Sequence, residues 1–252
     1  MPNKNRPYVL SIAGYDASAG AGVLADVKTM ENIGVYGLAV TTCVTYQNDD
    51  KFEGIHWLSK KKIKNQLYPI LEKYQIEFVK IGLIENLELL SELIQFLLTY
   101  NPCIKIIWDP ILRASAGFDF HKKMSKKLVH SILQQIYFIT PNWNEVELLS
   151  QEKDVVVGAE KLAQKCNVYL KGGHNIETPA TDMIWVQQKL DILHPTAITE
   201  LSKHGTGCVL SSALAAFLAL GNTTHKACEL AKAYTYQFLV SNKNNLGYHS
   251  IV

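Results

Sequence analysis

Apolar and polar positions fall in short blocks along this chain, and the period switches repeatedly between strand-like and helix-like spacing. Tyr8-Val9-Leu10-Ser11-Ile12-Ala13 is a short apolar run that predicts a buried strand, broken at Gly14. A loop follows to Gly22, and Leu24 to Asn32 carries helical spacing closed by Gly34. Leu38 to Tyr46, rich in Val and Thr, predicts a second strand that stops at Gln47-Asn48-Asp49-Asp50. Gly54 to Leu58 predicts a third, ahead of a basic amphipathic helix from Ser59 to Tyr74 whose lysines form a solvated face. The alternation then becomes regular. Phe78 to Gly82 predicts a strand, Leu87 to Tyr100 a helix, and Ile104 to Trp108 a strand ending at Asp109-Pro110. A helix near Lys122 to Gln135 precedes the strand Ile136 to Ile139, which Pro141 cuts, and Asn142 starts a helix through Ser150. After one more short helix comes the strand Val168 to Leu170, stopped at Lys171-Gly172-Gly173-His174. Met183 to Val186 and Leu190 to Leu193 predict a hairpin, and Thr224 to Ser241 a last helix.

Strands separated by helices predict an α/β fold, with a mostly parallel sheet and helices on both faces. No internal repeat, low-complexity segment or linker interrupts the 252 residues, so one domain over 1–252 is expected. In open α/β sheets ligands collect beyond the carboxyl ends of the strands. Gly14-Tyr15-Asp16, Gln47-Asn48, Gly82, Asp109, Asn142 and Lys171 to His174 all stand at those ends. One site assembled from many loops follows from that placement.

The stretch His204-Gly205-Thr206-Gly207-Cys208 opens a run of good helix formers that ends at Gly221-Asn222. A glycine turn feeding a helix leaves backbone N–H groups aimed outward with the positive end of the helix dipole behind them. That is an anion site, suited to phosphate. Cys208 falls in the first turn, where the dipole favours thiolate over thiol. A buried Gly-Ala helix whose cysteine is a small core residue remains the alternative. The first loop places its glycines at 14, 20 and 22, which is not the G-x-G-x-x-G order of dinucleotide folds, and the chain has no G-x-x-x-x-G-K-[ST] motif. That loop is either another kind of ligand loop or a tight connection.

Hydrophobic content of 48% and charged content of 19% are globular values. A net charge of +2, with no basic block beyond Lys60-Lys61-Lys62, argues against a dedicated nucleic-acid surface. The cysteines at 43, 103, 166, 208 and 228 form no C-x-x-C pair, so neither a disulfide framework nor a zinc site is expected. No apolar run approaches membrane-spanning length and the amino terminus has no signal-like core, so a cytoplasmic protein with no membrane partner is expected.

Ser11 to Gly14 with Ser18 to Gly22, Ala25 to Thr29, Gln47-Asn48, Lys80 to Gly82, Asp109-Pro110, Thr140-Pro141-Asn142 with Glu145, Lys171 to His174, and His204 to Cys208 form an ordered series of blocks. The series resembles the hydroxymethylpyrimidine and phosphomethylpyrimidine kinases of thiamine biosynthesis, members of the ribokinase-like superfamily. The resemblance spans about residues 8 to 221. It implies a three-layer α/β/α ribokinase-like domain with a mostly parallel central sheet. It also implies ATP and Mg2+ as cofactors, a small pyrimidine as substrate, and assembly as a homodimer.

Carried over block by block, the resemblance implies that Gln47 holds the aminopyrimidine edge, because an amide offers both donor and acceptor. Gly14, Asp26 and Leu83 are implied companions in that pocket. Asn142 and Glu145 resemble the motif for nucleotide phosphates and Mg2+, with Asp109 assisting. Lys171 would offset charge on the transferring phosphates, the Gly205-Thr206-Gly207 amides would form the anion hole, and Cys208 would be the base for the substrate hydroxyl. Each has a plainer reading: Asp26 pairing on its own helix, Glu145 favouring a helix start, Asp109 forming a turn before Pro110. His174 and His204 are assigned no catalytic role.

The sequence departs from the family pattern at Ala17, Ala19, Leu83, Ala116, Phe118 and Lys203, and in a shortened tail from Gly247 to Val252. These departures bear on substrate choice more than on fold or reaction. The readings are therefore a kinase that phosphorylates hydroxymethylpyrimidine and then its monophosphate, a pyridoxal or pyridoxine kinase on the same fold, or a non-catalytic pyrimidine-binding regulator.

Overall fold

The computed structural model describes residues 6–112, 125–175 and 178–249. In chain order the elements are β1 (Tyr8–Asp16), α1 (Gly22–Ile33), β2 (Tyr36–Gln47), β3 (Phe52–Trp57), α2 (Lys60–Lys73), β4 (Ile76–Ile81), α3 (Leu87–Tyr100) and β5 (Lys105–Trp108). They continue with α4 (Lys126–Leu133), β6 (Phe138–Ile139), α5 (Trp143–Ser150), α6 (Val155–Ala163), β7 (Asn167–Leu170), β8 (Asp182–Val186), β9 (Lys189–Leu193), α7 (Thr206–Ala219) and α8 (Thr224–Val240). The expected elements are present. The clearest shift is in β1, which continues past Gly14 to Asp16 because Tyr15 and Asp16 still pair with Val44 and Thr45 across a register shift. The start of the helix expected from Lys122, the positions Ala116 and Phe118, and the tail residues Ser250, Ile251 and Val252 lie outside the described residues.

One nine-stranded sheet runs β3-β2-β1-β4-β5-β6-β7-β8-β9. The pairs from β2 through β1 to β7 are parallel, while β3, β8 and β9 join antiparallel to their neighbours. Period-2 alternation sends successive side chains to opposite faces. Leu10, Ile12, Val79, Ile81, Ile106 and Trp108 pack with Ile63, Leu67, Leu90 and Leu93 of α2 and α3. On the other face Val9, Phe78, Ile107 and Phe138 meet Met30 of α1, Leu214 of α7 and Ala227 of α8. The result is three layers, helices over both faces of a mostly parallel sheet.

Strand order turns around at β1: the chain moves outward to β2 on one side, then returns to place β4 on the other. A crevice must open beyond the carboxyl ends of such strands, because their following connections diverge. Here those ends carry Gly14 to Asp16 and Gly82-Leu83. Among the described residues no helix is long and apolar enough to cross a membrane.

Candidate active site

An open cleft of about 1840 Å³ lies over the carboxyl ends of the strands. Its wall includes Gly14, Gln47, Leu83, Asp109, Asn142, Glu145, Lys171, Gly205, Thr206, Gly207 and Cys208. Eleven of the predicted site residues, scattered from 14 to 208, are thus brought to one surface. Asp26 is not among them.

The two glycine blocks fit each other. Gly205 has φ 76°, and a Cβ there would lie 1.9 Å from the carbonyl oxygen of Gly20. Gly22 has φ 60°, and its Cβ would lie 2.1 Å from the oxygen of Gly14. Both positions require glycine for conformation and for space. Asp16, 1% exposed, folds the first loop by accepting from the Ser18 N–H and the Ala21 N–H, each at 2.9 Å. Its Oδ2 also lies 2.9 Å from His204 Nε2, which ties the first block to the second. A Cβ on Gly14 would approach Cys43 Sγ to 2.8 Å and Leu83 Cδ2 to 3.3 Å, so these neighbours leave little room for a side chain at the β1 end.

Helix α7 begins at Thr206, and its first internal bond runs from the Val209 N–H to the Gly205 oxygen at 3.0 Å. The N–H groups of Thr206, Gly207 and Cys208 therefore have no acceptor within the helix. Lys171 lies over them: a Cβ on Gly207 would be 3.4 Å from its Nζ. The Lys171 ammonium is 2.9 Å from Asp109 Oδ1 and 3.7 Å from Glu145 Oε2. Burial disfavours its charge, but the carboxylates of Asp109 and Glu145 outweigh that and raise its pKa.

Asp109 is 1% exposed, and both its oxygens are engaged. Thr140 Oγ1 donates to Oδ1 at 3.2 Å and Ser211 Oγ to Oδ2 at 3.1 Å, alongside the Lys171 bond. Burial pushes its pKa up, and the cations of Lys171 and Lys80 more than reverse the push. Asn142 caps α5: its Oδ1 accepts from the Glu145 N–H at 2.9 Å, while Glu145 Oε2 accepts from the Asn142 N–H at 2.7 Å. The helix-start reading of Glu145 is therefore correct as far as one oxygen goes, and the residue also faces the cleft. Burial raises the Glu145 pKa to about 7, against the pull of Lys171.

Two expectations are corrected. Asp26, expected in the substrate pocket, is fully buried behind it. Its oxygens bind Lys80 Nζ at 2.8 and 2.9 Å and Ser212 Oγ at 2.7 Å, with Ser11 Oγ at 2.5 Å. None of this is visible from the helical position alone, because Lys80 comes from β4. Cys208 was expected as a thiolate. It is 5% exposed, and burial raises its pKa to about 11 despite the nearby Lys80 cation. The helix start does not compensate for removing the sulfur from water, so the resting group is a thiol.

Gln47 ends β2 on the cleft wall, and its side-chain amide has no protein partner among the described residues. No group of three or more His, Cys, Asp or Glu side chains converges to hold a metal among the described residues. The glycine blocks, a lysine above three amides with no acceptor in their helix, and a side-chain amide opposite with no partner among the described residues suit transfer of a phosphate to a small polar ring.

A sequence model of the family described as phosphomethylpyrimidine kinase matches residues 16–251. The chain belongs to that family, and it is a kinase. A hydroxymethylpyrimidine/phosphomethylpyrimidine kinase from Bacillus subtilis (strain 168) is 32% identical over 248 residues, covering 94% of this chain and 90% of the relative. The crystal structure of phosphomethylpyrimidine kinase from Clostridium difficile 630 superposes with a TM-score of 0.78 at 31% identity, covering 92% of this chain and 99% of the other. Pyridoxal kinase from Staphylococcus aureus in complex with ADP shares the ribokinase-like fold, with a TM-score of 0.82 at 22% identity over 97% of this chain and 92% of that one.

Several residues of this kinase site escaped the sequence reading. Asp16 and His204 form a bonded pair, although both stood inside singled-out blocks. Ser211 and Ser212 fasten α7 to Asp109 and Asp26. The cleft extends past β9 along residues 192–199 to Lys232, Tyr236 and Leu239 of α8, a stretch with no motif to mark it.

Proposed function

We propose that the protein transfers the γ-phosphoryl group of ATP to the hydroxymethyl group of 4-amino-5-hydroxymethyl-2-methylpyrimidine, and then phosphorylates the monophosphate. The observation that carries this reading is the placement of the Lys171 ammonium over the amides of Thr206, Gly207 and Cys208, which have no acceptor within α7. Pyrimidine binding alone needs neither. The match to relatives described as hydroxymethylpyrimidine/phosphomethylpyrimidine kinases supports the choice of substrate. The volume of the cleft supports two substrates bound together.

In this reading the pyrimidine lies on the floor made by Gly14 and Leu83, with the Gln47 amide donating to and accepting from its aminopyrimidine edge. The transferring phosphate rests on the α7 amides, and Lys171 neutralises charge that builds on its equatorial oxygens. The substrate hydroxyl oxygen bonds to phosphorus as ADP leaves, and its proton must go to a base. The family resemblance implies that this base is Cys208, in the first turn of α7. Its acidity has to be increased on substrate binding, because the resting thiol is protonated. Asn142 would bind the phosphates of ATP.

The donor set suits Mg2+: hard oxygens from Glu145 and Asp109, few enough for phosphate and water to complete the coordination. With Asp109 held by Lys171, Glu145 is the residue freer to bind the ion. Bound there, Mg2+ would offset negative charge on the nucleotide phosphates. The continuous sheet supports one kinase domain over residues 1–252. A cytoplasmic homodimer is proposed with it on the family resemblance, and sedimentation would test the assembly.

The test is to incubate the protein with MgATP and hydroxymethylpyrimidine, its monophosphate, pyridoxal or pyridoxine, and to identify products by mass. Mono- and diphosphorylated pyrimidine are expected. Exclusive phosphorylation of the pyridine substrates would assign the second reading, and no turnover on any would overturn the choice of substrate.

A further inference from the structure

The buried ammonium of Lys203 has a bonding pattern that the transfer reaction does not use. Lys203 is 7% exposed and directly precedes the anion turn. Its Nζ donates to the Asn242 carbonyl at 2.6 Å, the Asn242 Oδ1 at 3.2 Å and the Asn244 carbonyl. An ammonium has three donors, and all three go to oxygens just past the end of α8. A cation there also meets the negative end of that helix. The segment is fixed at further points. The His204 N–H donates to the Asn245 carbonyl at 2.9 Å, and Asn242 Nδ2 to the Leu246 carbonyl at 3.0 Å. Leu246 reaches the first glycine loop, since a Cβ on Gly20 would lie 2.6 Å from its Cδ2. Asn245 Nδ2 donates to Asp50 Oδ1 at 2.7 Å, in the turn that follows Gln47. Asp50, Lys203, His204 and Asn245 all line the cleft.

We propose that the tail from Asn242 to Leu246 is a wall of the acceptor half of the cleft, and that Lys203 is the positioning residue that holds it there. The tail links the anion turn, the first glycine loop and the Gln47 turn, three segments far apart in sequence. Fixing their spacing sets the affinity for the acceptor ring. It does not contribute to the nucleotide half, where Asn142 would bind the phosphates. The inference rests on the reading that the acceptor occupies the Gly14 and Gln47 end.

The experiment measures steady-state kinetics of Lys203→Met, Lys203→Arg, Asn245→Ala and Asp50→Ala, with ADP binding followed by calorimetry. Lys203→Met is expected to raise the acceptor KM about tenfold, with a smaller fall in kcat at saturating acceptor and ADP affinity unchanged. Lys203→Arg should restore most of the loss. Asn245→Ala and Asp50→Ala alter exposed groups and leave folding intact, so they report even if Lys203→Met does not fold; about a two- to threefold rise in acceptor KM is expected for each. An unchanged acceptor KM in these variants, or equal losses for acceptor and nucleotide, would overturn the proposal. If the wild-type protein phosphorylates pyridoxal rather than the pyrimidine, the acceptor assignment fails by itself, and the same KM split measured with pyridoxal decides the role of the tail.

Discussion

The ammonium of Lys171 and the hydroxyl of Ser211 share one carboxylate, that of Asp109: Lys171 takes Oδ1 at 2.9 Å and Ser211 takes Oδ2 at 3.1 Å. The cation above the anion turn and the helix that supplies the turn are thereby held in register from beneath. Asp109 reads as a strut between them more than as a free metal ligand.

That relationship makes the first prediction. Asp109→Asn keeps the shape and removes the charge that holds Lys171. Turnover should fall by about 10²-fold, the scale of losing one preorganised electrostatic contact, while the Mg2+ concentration for half-maximal rate stays the same. A raised Mg2+ requirement in steady-state assays would restore Asp109 to the metal.

Glu145 makes the second. Its pKa rises from 4.5 in the unfolded chain to about 7 in the fold. The folded state binds this proton more tightly, so the stability contribution is full below pH 4.5 and is lost as pH rises through about 7. Between those values the wild type should lose on the order of 1–3 kcal/mol relative to Glu145→Gln, read from urea midpoints across the pH range. The same variant should depress turnover and raise the Mg2+ requirement, and normal Mg2+ dependence would return Glu145 to capping α5 alone.

Cys208 is separated from its alternatives by two acceptors. Losing a general base costs about 10²–10⁴ in rate. A phosphate monoester is already anionic at neutral pH, its second pKa being near 6. Cys208→Ala should therefore cripple phosphorylation of hydroxymethylpyrimidine and spare that of the monophosphate. Equal losses would mean that the cysteine shapes the turn. No loss would make it a small core residue. As a resting thiol it should react slowly with iodoacetamide at pH 7, with the rate climbing toward the pKa of about 11.

Asp26 and Lys80 supply a prediction about stability. Removing one member of a buried ion pair leaves the other uncompensated, at a cost of about 3–5 kcal/mol. Asp26→Ala should lose that much in chemical denaturation, while its folded fraction keeps the wild-type KM for hydroxymethylpyrimidine. A raised KM with full stability would put Asp26 back in the substrate pocket.

Gln47→Leu tests the ring contact. Leaving polar atoms of a bound ring unpaired should weaken pyrimidine binding by about 1–3 kcal/mol in calorimetry. Unchanged affinity would remove Gln47 from recognition.

Much of this molecule is determined locally and can therefore be read along the chain. Leu87 to Tyr100 is a helix because its apolar residues recur at helical spacing, and Asn86 caps it by accepting from the Leu89 N–H at 2.8 Å. The alternation of such blocks with short apolar strands determines the parallel sheet, and the sheet determines where the loops collect. Gly205 and Gly22 likewise announce turns that only glycine adopts.

What the tertiary structure decided are the pairings and the dielectric. Asp16 meets His204 across a separation of 188 residues, and Asp26 meets Lys80 across 54, so neither partner lies within reach of a local pattern. Asp26 thus became a core ion pair where the family resemblance implied a place in the substrate pocket. Cys208 sits at a helix start, as its sequence says, but the state of its sulfur depends on how much water the packed neighbours exclude. Spacing along a chain encodes periodicity; charge compensation and desolvation exist only once distant segments are in contact.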